Sequence, residues 1–186
     1  MSKPARVLWE GTYWGFRGGN LKFAGPVSHP ALLELKTSLL GYVIVSGMEV
    51  TGDGFREGPY LASLIGPRPS RLLIPPQVHG LWIKRGSYRT NGIMLKCRAR
   101  VLPIEAARPL VGEVRGSSED VLAHSGERRR VTLEWHDGPG RLLFRNLDGT
   151  GEQVLNAQDG RYRGKVTLPG RPGLAIVDCP GRWSIG

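Results

Sequence analysis

Near its end the chain reads Gly160-Arg161-Tyr162, then Leu174-Ala175-Ile176, then Gly181-Arg182-Trp183, and these three groups repeat an earlier series. The earlier series is Gly58-Pro59-Tyr60, Leu72-Leu73-Ile74 and Gly80-Leu81-Trp82. Two of the groups recur at a spacing of 102 residues and the third at 101. Because self-similarity at a fixed spacing is the signature of a repeated structural unit, the chain is predicted to contain an internal repeat.

Two further matches extend the repeat toward the start of each half. Ala5-Arg6-Val7-Leu8 recurs letter for letter as Ala99-Arg100-Val101-Leu102, and Phe16-Arg17-Gly18-Gly19 corresponds to Val114-Arg115-Gly116-Ser117. Between the halves, residues 85–92 form a polar connection that ends in Asn91-Gly92, a dipeptide typical of tight turns. The sequence therefore predicts two modules, residues 1–90 and residues 91–186.

Composition and patterning predict an all-β fold. The 27 glycines and 14 prolines are spread through the chain, which suits many short strands joined by tight turns. Val131, Leu133 and Trp135 alternate with polar residues, as in a half-buried antiparallel strand. Residues 117–130 are polar and are predicted to form a loop. The predicted architecture is two tandem antiparallel β-sandwich modules, Ig-like or jelly-roll-like, related by the internal repeat.

A longer pattern in the second half runs Val154-Leu155-Asn156-x-x-Asp159-Gly160-x-Tyr162-x-Gly164, then Leu174-x-Ile176, then Gly181-x-Trp183-x-Ile185. This pattern resembles a small all-β module that recurs in actinobacterial proteins and opens with a Gly-x-Gly turn. The first half keeps Gly58-Pro59-Tyr60 and Gly80-x-Trp82-Ile83 but lacks the asparagine and the second glycine. The resemblance implies turn-forming glycines and core-anchoring Tyr and Trp residues. It implies no catalytic residue and no general activity.

Positive charge is the strongest compositional signal. The formal net charge is +10, the sequence pI is about 10.2, and 20 of the 26 cationic residues are arginine. Such a chain is attracted to polyanions, including nucleic acid, anionic membrane surfaces and acidic protein assemblies. A GC-rich genome, whose codons favour arginine, is the alternative explanation.

Two rows of cations are candidate sites for binding a polyanion or a partner. Side chains two residues apart on a strand lie on one face, so each row is predicted to present three positive charges within roughly 14 Å. Such a row suits a series of phosphates or carboxylates. The alternative is a solvated strand face whose charges prevent edge-to-edge aggregation. The rows are Lys96, Arg98 and Arg100, and Arg161, Arg163 and Lys165.

A second candidate site is aromatic. Stacked sugars or bases favour a cluster of aromatic side chains with polar residues between them, and core anchoring or burial against a partner subunit is the alternative. Trp82 and Trp183 match in the repeat and are predicted to lie in the core. The candidate aromatic contacts are Trp9, Tyr13, Trp14 and Phe16.

The sequence contains no catalytic, cofactor or metal motif, so the protein is predicted not to be an enzyme. Cys97 and Cys179 follow no metal or redox spacing, so buried thiols are expected, with a single bridge between them as the alternative. The start of the chain lacks a signal-peptide pattern, and the longest apolar run, residues 39–45, is too short for a membrane helix. Cytoplasmic synthesis without the general secretory signal is therefore expected.

Three functions follow from these features, in order of preference. The first is a structural or binding protein held by an acidic protein surface, as an accessory component of a larger assembly such as a phage capsid or tail. The second is nucleic-acid binding through the two basic rows. The third is a carbohydrate-binding module that uses the N-terminal aromatic residues. Each of the three is compatible with a homo-oligomer, and none requires a cofactor.

Overall fold

The computed structural model describes residues 10–15, 19–23, 26–37, 42–65, 68–85 and 95–186, and nearly all of the regular structure in them is β-strand. The helical structure in this part of the chain is one short 3-10 helix, Ile104–Ala106, and no described helix is long and apolar enough to cross a membrane. Contacts between residues divide the chain into two units, residues 1–104 and residues 105–186. The prediction of an all-β fold with antiparallel sheets is confirmed.

The first unit has eight described strands in two antiparallel sheets. One sheet has the order β1-β8-β3-β6 and the other has the order β2-β7-β4-β5. Leu33 of the first sheet and Val45 and Ile83 of the second are fully buried in one shared core, so the unit is sandwich-like. The strands are β1 (Glu10–Gly15), β2 (Gly19–Lys22), β3 (Ala31–Thr37), β4 (Tyr42–Thr51), β5 (Gly54–Ile65), β6 (Ser70–Ile74), β7 (Gly80–Arg85) and β8 (Leu95–Pro103).

The second unit has nine strands, also in two sheets around one core. The sheets have the orders β10-β17-β12-β15 and β14-β13-β16-β11-β9. Pairing is antiparallel except between β9 and β11, which run parallel. Trp135 and Trp183 are the largest side chains in the core. The strands are β9 (Arg108–Pro109), β10 (Val114–Gly116), β11 (Asp120–His124), β12 (Arg129–Trp135), β13 (Gly140–Arg145), β14 (Gln153–Gln158), β15 (Tyr162–Leu168), β16 (Gly173–Asp178) and β17 (Trp183–Ile185).

One sheet of each unit has the same strand order, and three of its strands match in register around Val45 and Leu133. In the first unit β4 lies between β7 and β5, and in the second unit β12 lies between β17 and β15. β7 and β17 are each the last strand of their own sheet along the chain. The residues that lie side by side across these strands also correspond. The matching triplets are Ile83, Val45 and Ala62 in the first unit and Ile185, Leu133 and Gly164 in the second.

The units divide between Ile104 and Glu105, whereas the sequence predicted a boundary between residues 90 and 91. The difference comes from β8, which the repeat assigned to the second module. In the structure β8 pairs with β1 and β3, and its Ala99 is fully buried in the first core. The strand to which a segment hydrogen-bonds decides its unit, so the recurrence of residues 5–8 at residues 99–102 does not mark the start of the second unit.

The loop predicted for residues 117–130 is wrong, because β11 lies in the middle of it. Val121 and Leu122 are consecutive and both fully buried, since β11 lies inside a five-stranded sheet between β16 and β9. A strand that is buried on both faces does not show the alternation of apolar and polar residues that identifies half-buried strands. Polar residues at its two ends, Glu119 and His124, made the segment look like a loop although both side chains are buried.

Candidate functional site

The positive charge of the chain is concentrated in the first unit. Residues 1–104 contain 14 Lys and Arg against 5 Asp and Glu, a formal net charge of +9. Residues 105–186 contain 12 against 11, a net charge of +1. Five carboxylates cannot neutralise fourteen cations, so the first unit keeps a large excess whatever ion pairs it forms. The attraction to polyanions that the composition predicts therefore belongs mainly to the first unit.

The first predicted row lies on β8, on the outer face of the sheet β1-β8-β3-β6. Arg98 is exposed and Arg100 is half-buried, on either side of the fully buried Ala99, as the alternation predicts. Lys96 lies on the same strand, and its side chain is outside the described part of the chain. Lys36 of β3 lies directly opposite Arg98. Two cations are therefore neighbours on this face, with their Cβ atoms about 5 Å apart.

Acidic residues lie at one end of the same face. Glu34 of β3 is opposite Arg100 and accepts hydrogen bonds of 3.3 Å from Nε and Nη2 of Arg71 on β6. Glu10 of β1 is opposite Arg100 on the other side. Arg100 thus lies between two acidic residues in register, whereas the neighbours of Arg98 are Lys36 and Thr12. The part of the face around Lys36 and Arg98 is its most cationic part.

The second predicted row lies on β15, in the second unit. Arg161 immediately precedes the strand, and Arg161, Arg163 and Lys165 are exposed. Their charges face partners from the same sheet: Arg163 Nε lies 2.9 Å from Glu134 Oε1, and Lys165 Nζ donates a 2.8 Å hydrogen bond to Thr132 Oγ1. Arg163 is therefore paired with a carboxylate, whereas Lys165 contacts an uncharged hydroxyl group.

A shallow depression of about 400 Å³ lies at one end of the second row. Arg182, which the sequence reasoning had placed in a structural Gly-x-Trp group, also lines it. Nε and Nη2 of Arg182 donate hydrogen bonds of 2.5 and 2.8 Å to the two carboxylate oxygens of Asp137. These bonds hold the pKa of Asp137 well below its usual range. The depression is lined by Glu134, Trp135, His136, Arg161, Tyr162, Arg163 and Arg182.

The two tryptophans that match in the repeat lie in different environments. Trp183 is 1% exposed, as predicted, and its Nε1 donates a 2.7 Å hydrogen bond to the carbonyl oxygen of Ser118. Trp82 is only partly buried, so its prediction as a core residue is wrong. Its neighbours Leu81 and Ile83 are fully buried, which places Trp82 on the opposite, outer face of β7. The structural counterpart of Trp183 is Leu81, at the spacing of 102 residues that also separates Ile83 from Ile185.

Corresponding outer rows of the two sheets contain different chemistry. Each row crosses four strands at one register position. In the first unit two aromatic residues lie on either side of a serine. In the second unit the positions of these two aromatic residues hold a serine and an arginine, on either side of a glutamate. The rows are Asn20, Trp82, Ser46 and Tyr60 in the first unit and Arg115, Ser184, Glu134 and Arg163 in the second.

The remaining predicted contacts are the N-terminal aromatics. Tyr13 and Trp14 are consecutive residues of β1, paired in register with Cys97 and Lys96, and Trp9 and Phe16 lie outside the described residues. The side chains of all four are outside the described part of the chain, so the aromatic cluster stays a prediction.

Among the described residues we find neither a metal site nor a reactive thiol. No three His, Cys, Asp or Glu side chains come together there in a way that could hold a metal ion. Cys179 is a free, buried thiol, and burial raises its pKa. A buried protonated thiol is a weak nucleophile, so Cys179 serves as an apolar core residue.

Protein families and curated proteins were compared with this chain. No protein-family description matches it, and no curated protein matches it. The resemblance to the actinobacterial module therefore stays a prediction.

Proposed function

We propose that the protein is a non-enzymatic binding component of a larger assembly and that its first unit docks on an acidic partner surface. The division of charge carries this proposal: +9 on residues 1–104 against +1 on residues 105–186. Such an excess attracts and orients an anionic partner over roughly 8 Å at physiological ionic strength. Because the second unit is nearly neutral, the attraction comes almost entirely from the first unit.

The proposed contact is the outer face of the sheet β1-β8-β3-β6 around Lys36 and Arg98. Like charges in opposite register positions repel each other, and a carboxylate placed between them relieves that repulsion. Arginine also binds carboxylates through two parallel hydrogen bonds, which fixes the orientation of a partner. The row on β15 is less suitable, because it belongs to the nearly neutral second unit.

We further propose that the chain is a tandem pair of β-sandwich modules derived from one ancestral unit. The matching strand order and register of β2-β7-β4-β5 and β10-β17-β12-β15 support this proposal. A small, turn-rich protein of this kind suits an accessory position on a repetitive particle. A phage capsid or tail is the assembly that we propose first.

Nucleic acid is the second candidate partner, and the same concentration of charge favours it. Binding to phosphates releases counterions, so affinity falls steeply with salt, with a slope of about −0.9 for each phosphate neutralised on duplex DNA. The face around Arg98 mixes cations with Glu34, and a carboxylate within the face repels a phosphate backbone. This mixture makes a protein partner the better candidate.

Affinity purification from the native source, with and without nuclease and read by mass spectrometry, tests both candidates. We expect a stoichiometric, acidic protein partner whose recovery is unaffected by nuclease. The double variant K36E/R98E should lose this partner. The control variant R161E/K165E makes the same change in net charge in the second unit and should retain it. If recovery collapses with nuclease, the partner is nucleic acid; if both double variants lose the partner equally, the first unit is not the docking site.

A further inference from the structure

Two aromatic side chains lie on the outer face of the sheet β2-β7-β4-β5. Trp82 is partly exposed and Tyr60 is 59% exposed. Both lie opposite Ser46 in register, Trp82 on β7 and Tyr60 on β5. Since neighbouring strands are about 4.8 Å apart, the two residues are about 10 Å apart across the sheet. This separation is similar to the distance between alternate rings of an extended sugar chain.

Fixed polar groups lie beside the two aromatic residues. The Glu57 carboxylate accepts a 2.8 Å hydrogen bond from Ser46 Oγ and another bond from Lys84 Nζ. These bonds lower the pKa of Glu57, so it is ionised throughout the neutral range. The ammonium of Lys84 also lies 5.3 Å from the centre of the Trp82 ring. Hydrogen-bond donors and acceptors therefore accompany both apolar surfaces.

We infer that this face, formed by Trp82, Tyr60, Ser46, Glu57 and Lys84, binds an uncharged polysaccharide chain. The apolar C–H faces of alternate sugar rings stack on Trp82 and Tyr60. The hydroxyl groups between them donate hydrogen bonds to the Glu57 carboxylate and accept hydrogen bonds from Lys84. Aromatic side chains favour this role because their amphipathic rings give a large contact area with little loss of side-chain entropy.

The ion pair between Glu57 and Lys84 favours a neutral ligand. Stacked bases would also fit two aromatic rings, but the phosphates of a nucleic acid need a net positive charge, and the paired Glu57 and Lys84 supply none. Phe55 of β5 lies opposite Val50 and so is not in the row that contains Trp82 and Tyr60.

The second unit shows that the fold does not require this arrangement. Opposite Glu134, which corresponds to Ser46, it has Ser184 and Arg163, and the sheet keeps the same strand order. The aromatic pair is therefore a surface feature of the first unit and not a part of the shared framework. The inference is independent of the acidic partner, because it uses a different sheet from the face around Lys36 and Arg98.

Affinity electrophoresis tests the inference in native gels run toward the cathode, which suits a basic protein, and containing hydroxyethylcellulose, arabinoxylan, galactomannan or pullulan. We expect at least one of these polysaccharides to retard the wild-type protein. The variants W82A and Y60A should each weaken retardation by about tenfold, as expected when one stacking surface is lost. The variants W82F and Y60F keep a ring at each position and should stay within about threefold of wild type. The control R163A changes the position that corresponds to Tyr60 and should bind like wild type.

Three results would overturn the inference. The first is an absence of retardation by all four polysaccharides. The second is retardation that W82A and Y60A leave unchanged while circular dichroism shows that both variants are folded. The third is displacement of the polysaccharide by single-stranded oligonucleotide at equal affinity, which would make the aromatic pair a base-stacking site. If K36E/R98E loses the acidic partner but is still retarded by the polysaccharide, the two binding sites are separate and both proposals are supported.

Discussion

The two units of this chain build one sheet in the same way and use its outer surface differently. In the first unit the outer row contains Trp82 and Tyr60, and in the second unit the same positions contain Ser184 and Arg163. The inward positions keep apolar residues in both units, as with Val45 and Leu133. Packing constrains inward residues strongly and outward residues weakly, so surface chemistry can diverge while strand order and register persist.

The cores of the two units are also filled differently. A tryptophan that is present only in the second core explains why only the second half has the asparagine of the pattern. Trp135 of the second unit corresponds to Gly47 of the first, since each lies opposite the matching residue of the neighbouring strand. The indole Nε1 of Trp135 donates a 2.9 Å hydrogen bond to Asn156 Oδ1. A unit with glycine at this position has no indole N–H to satisfy. The asparagine that the first half lacks is therefore a partner for a tryptophan that it also lacks.

The second missing residue of the first half, a glycine, has a similar explanation. Gly164 lies under the ring of Tyr162, and a Cβ atom at Gly164 would collide with the Tyr162 hydroxyl. Ala62 occupies this position in the first unit, and the pairing of β4 with β5 is irregular beside Ser46. Tyr60 accordingly points outward, where its hydroxyl lies 2.9 Å from Ser63 Oγ. The outward orientation of Tyr60 therefore depends on the methyl group of Ala62 and on the irregular pairing beside Ser46.

The largest expected effect separates the two tryptophans. W183A should destabilise the protein by about 3–5 kcal/mol, because it leaves a large cavity in the second core. W82A should change stability by less than about 1 kcal/mol, because the side chain lies on the outer face. Urea unfolding followed by far-ultraviolet circular dichroism measures both. Equal losses would contradict the structure and favour the match by sequence letters, in which both residues are core anchors.

An intermediate effect is expected from exchanging the small residues beneath the tyrosines. G164A should cost roughly 1–3 kcal/mol and push Tyr162 into solvent. Tetranitromethane should then nitrate Tyr162 as readily as Tyr60, as peptide mapping can show. The reverse variant, A62G, should cost about 1 kcal/mol or less and leave Tyr60 reactive, because the strand irregularity persists. A Tyr162 that stays protected in G164A would mean that the glycine does not control the orientation of the ring.

The smallest expected effect concerns the ion pair between Asp137 and Arg182. Hydrogen bonds from Arg182 lower the folded-state pKa of Asp137 below its ordinary value of about 3.9. The stabilisation is therefore present above that ordinary value and is lost as the pH falls through the lowered folded-state value. D137N should melt slightly below wild type at pH 7, and the two melting temperatures should converge in acid. The pair is exposed, so the difference at pH 7 should be small. A gap that widens as the pH falls would contradict this sign.

The sequence predicted strands with one solvent-exposed face better than strands that are buried on both faces. Val131, Leu133 and Trp135 alternate with polar residues, and β12 lies where this pattern placed it. β11 was missed because both of its faces are buried, so its apolar residues do not alternate with polar ones. Local patterning carries information about a sheet face in contact with water, and little about a short strand inside a sheet.

The predicted sites show the same limit. Alternation correctly placed Arg98, Arg100, Arg163 and Lys165 on outer faces, because that depends only on neighbouring residues in one strand. The partners of these cations come from other strands, and they decide how much charge remains to bind a ligand. Glu134, which lies opposite Arg163, is 29 residues away in the chain. No pattern within β15 indicates it.

By itself the sequence determined that the chain is all-β and strongly basic, and it predicted an internal repeat. Turn residues, alternation and charge are local properties, and they can be counted without knowing which strands pair. Only the tertiary structure decided that β8 joins the first unit, that Trp82 faces outward while Trp183 is buried, and that the charge excess belongs to one unit. These outcomes depend on the register between strands far apart in sequence, and a shift of one residue moves a side chain to the opposite face of the sheet.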